Sequence, residues 1–210
     1  MEDTGGPLNL INGKMGISAP SNSVPVMALI RKHTPKSREE LVSLIKSHYL
    51  NHCECGIVSK GTVVDFGKNL FKAQKEFWGE NKFTVKECIQ WEYNLFVVNS
   101  LKGDLIEKRA LNKLKEMRDD LGFVEAEGFI DEDLRIDIII KYKGQEIGGI
   151  QVKPLTFNRM RSEVIHINNT GHIKWGKPVY YLFYDDNENF TNIEIIIESI
   201  NDLIINNYQF

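Results

Sequence analysis

The sequence predicts a mixed α/β protein, a central sheet flanked by helices, with a helical elaboration on its N-terminal side. Three observations point there. Between Arg38 and Gly122, successive segments carry apolar residues every three or four positions, the period of a helix with one buried stripe. Beyond Gly122 the texture changes to short β-branched or aromatic segments bounded by turn residues, the mark of strands. No internal repeat or low-complexity linker divides the 210 residues, so one domain is expected, with an irregular arm over 1–24, a mainly helical region over 25–100 and an α/β core over 101–210.

Each element has a local reason. Residues 1–24 are rich in Gly, Pro, Ser and Asn and read as a lead-in that only a partner would order. Ser37 is an N-cap with Glu39 and Glu40 in the following turn, and Leu41, Leu44, Ile45 and Tyr49 share a face, so Arg38 to Leu50 reads as an amphipathic helix. The same spacing predicts helices over Val64–Trp78 and Val85–Ser100. Another follows in "GDLIEKRALNKLKEMRDDLG", where Leu105, Ala110, Leu111, Leu114 and Met117 form the stripe and Gly122 the stop. "FVEAEGF", "LRIDIIIKY", "EIGGIQVK", "PVYYLFYD" and "NIEIIIES" then read as strands.

Composition narrows the function. With 42% hydrophobic and 26% charged residues the chain is of ordinary soluble type. No stretch approaches the ~20 apolar residues of a membrane span, and the N-terminus lacks a basic segment followed by an apolar one, so a cytoplasmic protein with no membrane partner is expected. Cys53, Cys55 and Cys88 are too few and odd in number for a disulfide framework. The "HCEC" run at 52–55 has no second Cys/His cluster at zinc-finger spacing, which argues against zinc. A net charge of −3 excludes the non-specific coating of nucleic acid, which needs a large positive field. The stretch from Lys153 to Lys177 nevertheless carries Lys153, Arg159, Arg161, Lys174 and Lys177 against Glu163 alone, a surface suited to phosphate.

The chemistry concentrates in "RIDIIIKYKGQEIGGIQVKP". Asp137 interrupts an apolar strand, where an ionised carboxylate is costly unless a cation or a donor compensates it. On the next strand Gln151 and Lys153 share one face, and Val152 turns with Ile150 towards the core. Phosphodiester hydrolysis uses these parts: hard oxygens for a divalent cation and an ammonium for developing charge. Asp137 is the main anionic ligand in this reading, Gln151 a neutral one and the Val152 carbonyl a third. Glu107, on the preceding helix, is the second acid. The competing structural reading pairs Asp137 with Arg135, Lys141 or Lys153 and leaves Glu107 on a solvated helix face. Parity constrains the hairpin. With Gly144-Gln145 as a two-residue loop, Asp137 would oppose Val152 on the apolar face. A three-residue loop Lys143-Gly144-Gln145, or a bulge at Gly148-Gly149, returns it to the face of Gln151.

Glu107 on a helix, Asp137 on one strand and "IQVK" on the next resemble the PD-(D/E)XK nuclease superfamily, with Gln151 in the place of its second acid. "SAPSNSVPVMALIRKHTPKSREELVSLIKSHYL", "SLKGDLIEKRALNKL" and "GGIQVKPLTFNRM" make the chain most similar to the MjaI-like group of type II restriction endonucleases, over most of residues 17–161. The resemblance implies a homodimeric, Mg²⁺-dependent enzyme that recognises a short palindromic site in double-stranded DNA, cuts both strands and restricts foreign DNA. Base and phosphate contacts are expected from Lys36 and Arg38, and from Arg159, Arg161, Asn168, Asn169, His172 and Lys174. The alternatives are a repair or junction-resolving nuclease of the same superfamily and a non-catalytic DNA-binding protein.

Overall fold

A computed structural model describes residues 4–19, 21–51, 58–159 and 162–208. The chain forms two compact units, Met1–Asp104 and Leu105–Phe210. The "HCEC" run lies outside the described residues.

The first unit is helical: α1 (Gly6–Met15), α2 (Val26–His33), α3 (Arg38–Leu50), α4 (Val63–Trp78) and α5 (Val85–Tyr93), followed by one wide π-helical turn, Asn94–Val98. The helix starts follow from the sequence. The Ser37 Oγ accepts from the Glu40 N–H at 3.1 Å, and Thr62 with Asp65 and Thr84 with Glu87 form reciprocal capping boxes. Part of the expected arm is α1, with Pro7 in its first turn and Gly16 ending it in the left-handed region at φ 61°. It is ordered because Leu8 and Ile11 bury against Leu70, Ala73, Cys88 and Trp91. Gly67 lets α4 approach α5, since a Cβ there would lie 2.5 Å from the Ile89 Cα.

The expected helices over 85–100 and 103–122 divide differently. After the π-helical turn, α6 runs from Asn99 through Gly103 to Met117, and its residues from Leu105 onwards belong to the second unit.

That unit is a four-stranded sheet in the order β1 (Gly122–Glu125), β2 (Ile138–Tyr142), β3 (Gln145–Pro154), β4 (Val179–Tyr184). The first three strands pair antiparallel and β4 pairs parallel to β3, so the sheet is mixed. Parallel neighbours need a crossover. A 3₁₀ turn, Leu155–Arg159, and α8 (Ser162–Trp175) provide it. One sheet face packs Phe123, Ile138, Ile140, Ile150, Val152 and Leu182 against Ile106, Ala110 and Leu114 of α6. The other carries Ile139 in a cluster with Ala126, Leu134 and Ile136, joined by Trp175 of α8. Gly171 seats α8 here, because a Cβ would meet the carbonyl oxygens of Asp133 and Leu134 at 2.8 and 2.9 Å.

Two strand expectations are corrected. "NIEIIIES" is part of a helix, α9 (Ile193–Tyr208). Ile193, Ile196, Ile200 and Ile204 fall on one helical stripe and enter the sheet core, and that burial outweighs the β preference of a branched run. "FVEAEGF" is strand only as far as Glu125. Gly128, at φ 55°, then turns the chain into the short helix α7 (Phe129–Glu132). Among the described residues no helix is long and apolar enough to cross a membrane.

Candidate active site

The β2–β3 hairpin decides which side chains meet. Its loop is Lys143-Gly144, both with positive φ (47° and 80°), and Tyr142 pairs with Gln145. Positive φ at both central residues is what a tight two-residue hairpin loop requires. Continued unbroken, that register would set Asp137 opposite Ile150, on the apolar face. Instead Ile140 pairs with Gly148 while Lys141 pairs with Glu146, so Ile147 is an extra residue on β3. The expected bulge is therefore present one residue earlier than Gly148-Gly149, beside a loop shorter than three residues. Its effect is to bring Asp137 to Gln151.

Asp137 is 6% exposed and is fixed on both sides of Gln151. Its N–H donates to the Ile150 carbonyl at 3.0 Å, and its Oδ2 accepts from the Val152 N–H at 2.7 Å. The Lys153 ammonium lies 4.0 Å from the same Oδ2 and 6.0 Å from the centroid of the Phe157 ring. Gln151, 1% exposed, donates its Nε2 to Asn168 Oδ1 at 2.6 Å, while its Oε1 has no hydrogen-bond partner among the described residues. A buried amide oxygen without a donor is costly, and a bound cation relieves it.

Glu107 is half-buried on α6. Burial, then the charges of Glu107, Glu188 and Asp137, push the Tyr184 phenol up to about 12. Glu188 is engaged by Arg109 at 2.8 Å. Among the described residues no group of three or more His, Cys, Asp and Glu side chains forms a metal cage. Asp137 and the Gln151 amide offer oxygen atoms, the kind of donor that a hard cation such as Mg²⁺ takes.

Beside Lys153 the face is aromatic, which the sequence reading did not foresee. Tyr181 pairs with Gln151 and Phe183 with Lys153 across the parallel ladder, and their rings stack at 5.9 Å. Phe157 and His172 each lie 5.4 Å from the Tyr181 ring. The His172 imidazole is held below its usual pKa, first by burial and also by the Lys153 charge, against an opposing contact with the Arg135 carbonyl. It is thus largely neutral at pH 7.

The residues expected to contact DNA are dispersed. Lys36 and Arg38 are exposed at the start of α3, in the first unit. Asn169 and Lys174 are exposed on α8, and the Tyr181 hydroxyl donates to Asn169 Oδ1 at 3.5 Å. His172 is half-buried. Asn168 points inward, 6% exposed, with both ends of its amide bonded within the protein. Its inward place was readable only as a faint helical stripe with Gly171 and Trp175. Of Arg159 only the backbone is described, and Arg161 lies outside the described residues.

The family model described as MjaI restriction endonuclease matches residues 7–205 of the chain. No curated protein and no solved structure matches it.

Proposed function

The chain belongs to the MjaI restriction endonuclease family, and from that premise we propose that it is a type II enzyme with a PD-(D/E)XK core, cutting double-stranded DNA at a short palindromic site as a Mg²⁺-dependent homodimer. The observation that carries this reading is the convergence at one end of β3 of Asp137, Lys153 and Gln151, whose Oε1 has no partner among the described residues. A mixed sheet with a helix before it, an acid immediately before β2 and Gln-x-Lys on β3 supports the superfamily assignment.

Asp137 and Gln151 would hold the cation, with Glu107 as the second carboxylate and the Val152 carbonyl as a further oxygen. When bound, such a cation neutralises phosphate charge and acidifies water. The Val152 N–H holds the Asp137 carboxylate in place before substrate arrives. Lys153 sets its ammonium where negative charge grows on the phosphate oxygens. We treat residues 1–210 as one nuclease domain, with 25–100 serving recognition and dimerisation. Lys36 and Arg38, and on the other unit Arg159, Arg161, Asn169, His172 and Lys174, are the proposed DNA contacts. A two-fold dimer matches a two-fold site and supplies one active site per strand.

The test is incubation with a defined plasmid and Mg²⁺, followed by sequencing of the fragment ends. Discrete fragments with one common terminal sequence, lost with EDTA, are the expected result. Uncut duplex alongside cleaved junctions would replace this reading with a structure-specific nuclease, and no product at any Mg²⁺ concentration would leave a binding protein. Sedimentation with the cognate duplex should give a dimer; a 1:1 complex that cuts both strands in one encounter refutes it.

A further inference from the structure

An amide in the place of a carboxylate raises a problem that the carboxylate does not have. A carboxylate offers oxygen at both ends, whereas an amide offers oxygen at one end and an NH₂ group, which repels a cation, at the other. Something must choose the end. The Val164 carbonyl can only accept, so the Asn168 atom facing it, at 2.7 Å, is Nδ2. Asn168 Oδ1 is then left to face Gln151 and accepts from Nε2 at 2.6 Å. The Gln151 atom that remains, buried and without a protein donor among the described residues, is Oε1. Turning either amide over would bring like groups together, so a backbone carbonyl of α8 sets the polarity of both.

We infer that Asn168 is a positioning residue that fixes the Gln151 amide with its oxygen, rather than its NH₂ group, directed to the cation. This rests on the cation-site reading of Asp137 and Gln151 given above. Asn168 therefore acts on metal affinity, through Gln151, and not on base recognition.

The test is a calorimetric Mn²⁺ titration of the full chain as wild type, Asn168→Leu, Gln151→Glu and the double variant. Groups that orient a ligand typically alter metal affinity by about 10–100-fold when removed. Asn168→Leu should weaken Mn²⁺ binding about tenfold where residue 151 is glutamine, and by less than about twofold in the Gln151→Glu background, where both ends ligate alike. Equal losses in both backgrounds would mean a merely structural role and overturn the inference, as would no loss in either. A wild type that binds no Mn²⁺ overturns the cation site and the inference together; wild-type binding with either failing pattern overturns the inference alone. If Asn168→Leu does not fold, the wild type still decides by NMR. Added Mg²⁺ should move the Gln151 side-chain carbonyl carbon and leave the Nε2 proton that is bonded to Asn168 Oδ1 in that bond. Loss of that bond on adding Mg²⁺ is the contrary result.

Discussion

Asp137 has two duties that different substitutions separate. Its Oδ2 accepts the buried Val152 N–H at 2.7 Å, a structural bond, and its charge is the one placed to hold a cation. Asp137→Asn keeps a carbonyl oxygen for Val152 and removes the charge. What it loses structurally is the pairing with Lys153, which at 4.0 Å to a partly exposed lysine is worth about 0–1 kcal/mol. Asp137→Ala removes the acceptor as well, leaving a buried N–H unsatisfied at a cost of about 1–3 kcal/mol. Urea denaturation should therefore place the asparagine variant near wild type and the alanine variant about 1–3 kcal/mol below it. Both should lose plasmid cleavage in Mg²⁺ by at least about a hundredfold. Both should retain sequence-specific gel shifts in Ca²⁺, because base contacts come from other segments. Wild-type cleavage by Asp137→Asn would refute the catalytic duty, and equal stability of the two variants would refute the structural one.

Lys153→Ala should cut cleavage by about a hundredfold or more with little change in denaturation midpoint, since the ammonium is partly exposed and its pairing long; comparable loss of both would make it a stability residue. Gln151→Glu should keep measurable cleavage with an altered metal preference and Gln151→Ala should lose most of it, read in Mg²⁺ and Mn²⁺ side by side. Gly171→Ala should destabilise the protein by about 1–3 kcal/mol, because its methyl group collides with the Asp133 and Leu134 carbonyls and lifts α8; an unchanged thermal midpoint would contradict that packing. In the helical unit, burial pushes Glu92 up to about 8, so it is neutral when folded but ionises near 4.5 when unfolded. Its folded pKa is the raised one, so the contribution of this group to stability is full below about pH 4.5 and falls, by at most about 1.4 kcal/mol per pH unit, until about pH 8. Glu92→Gln should flatten this slope between pH 5 and 7.5 in chemical denaturation, and parallel profiles for the two proteins would exclude Glu92 as its source.

The sequence by itself determined whatever acts within a turn or two of chain. The Ser37 cap and the Leu41, Ile45 stripe specify Arg38–Leu50, and the Thr84 cap specifies the start at Val85, because the donors, acceptors and side-chain period involved are all local. It also exposed Asp137, Gln151 and Lys153, since an acid and an amide in apolar strands carry a desolvation cost that asks for a reason. The family was legible from the same segments. The tertiary structure decided what depends on a distant partner. The isoleucine-rich run from Ile193 is helix because a sheet face offers it one continuous stripe to cover, although its branched side chains favour strand when judged alone. Gly103 lies inside a helix although glycine weakens one. Asn168 resembles any polar helix residue until α8 is laid on the sheet, and only there does its amide meet Gln151. The bulge at Ile147 is likewise set by competition between a tight loop at Lys143-Gly144 and the burial of Ile138 and Ile140. One extra residue resolves it, and that residue places the carboxylate of Asp137 beside Gln151 instead of in the core.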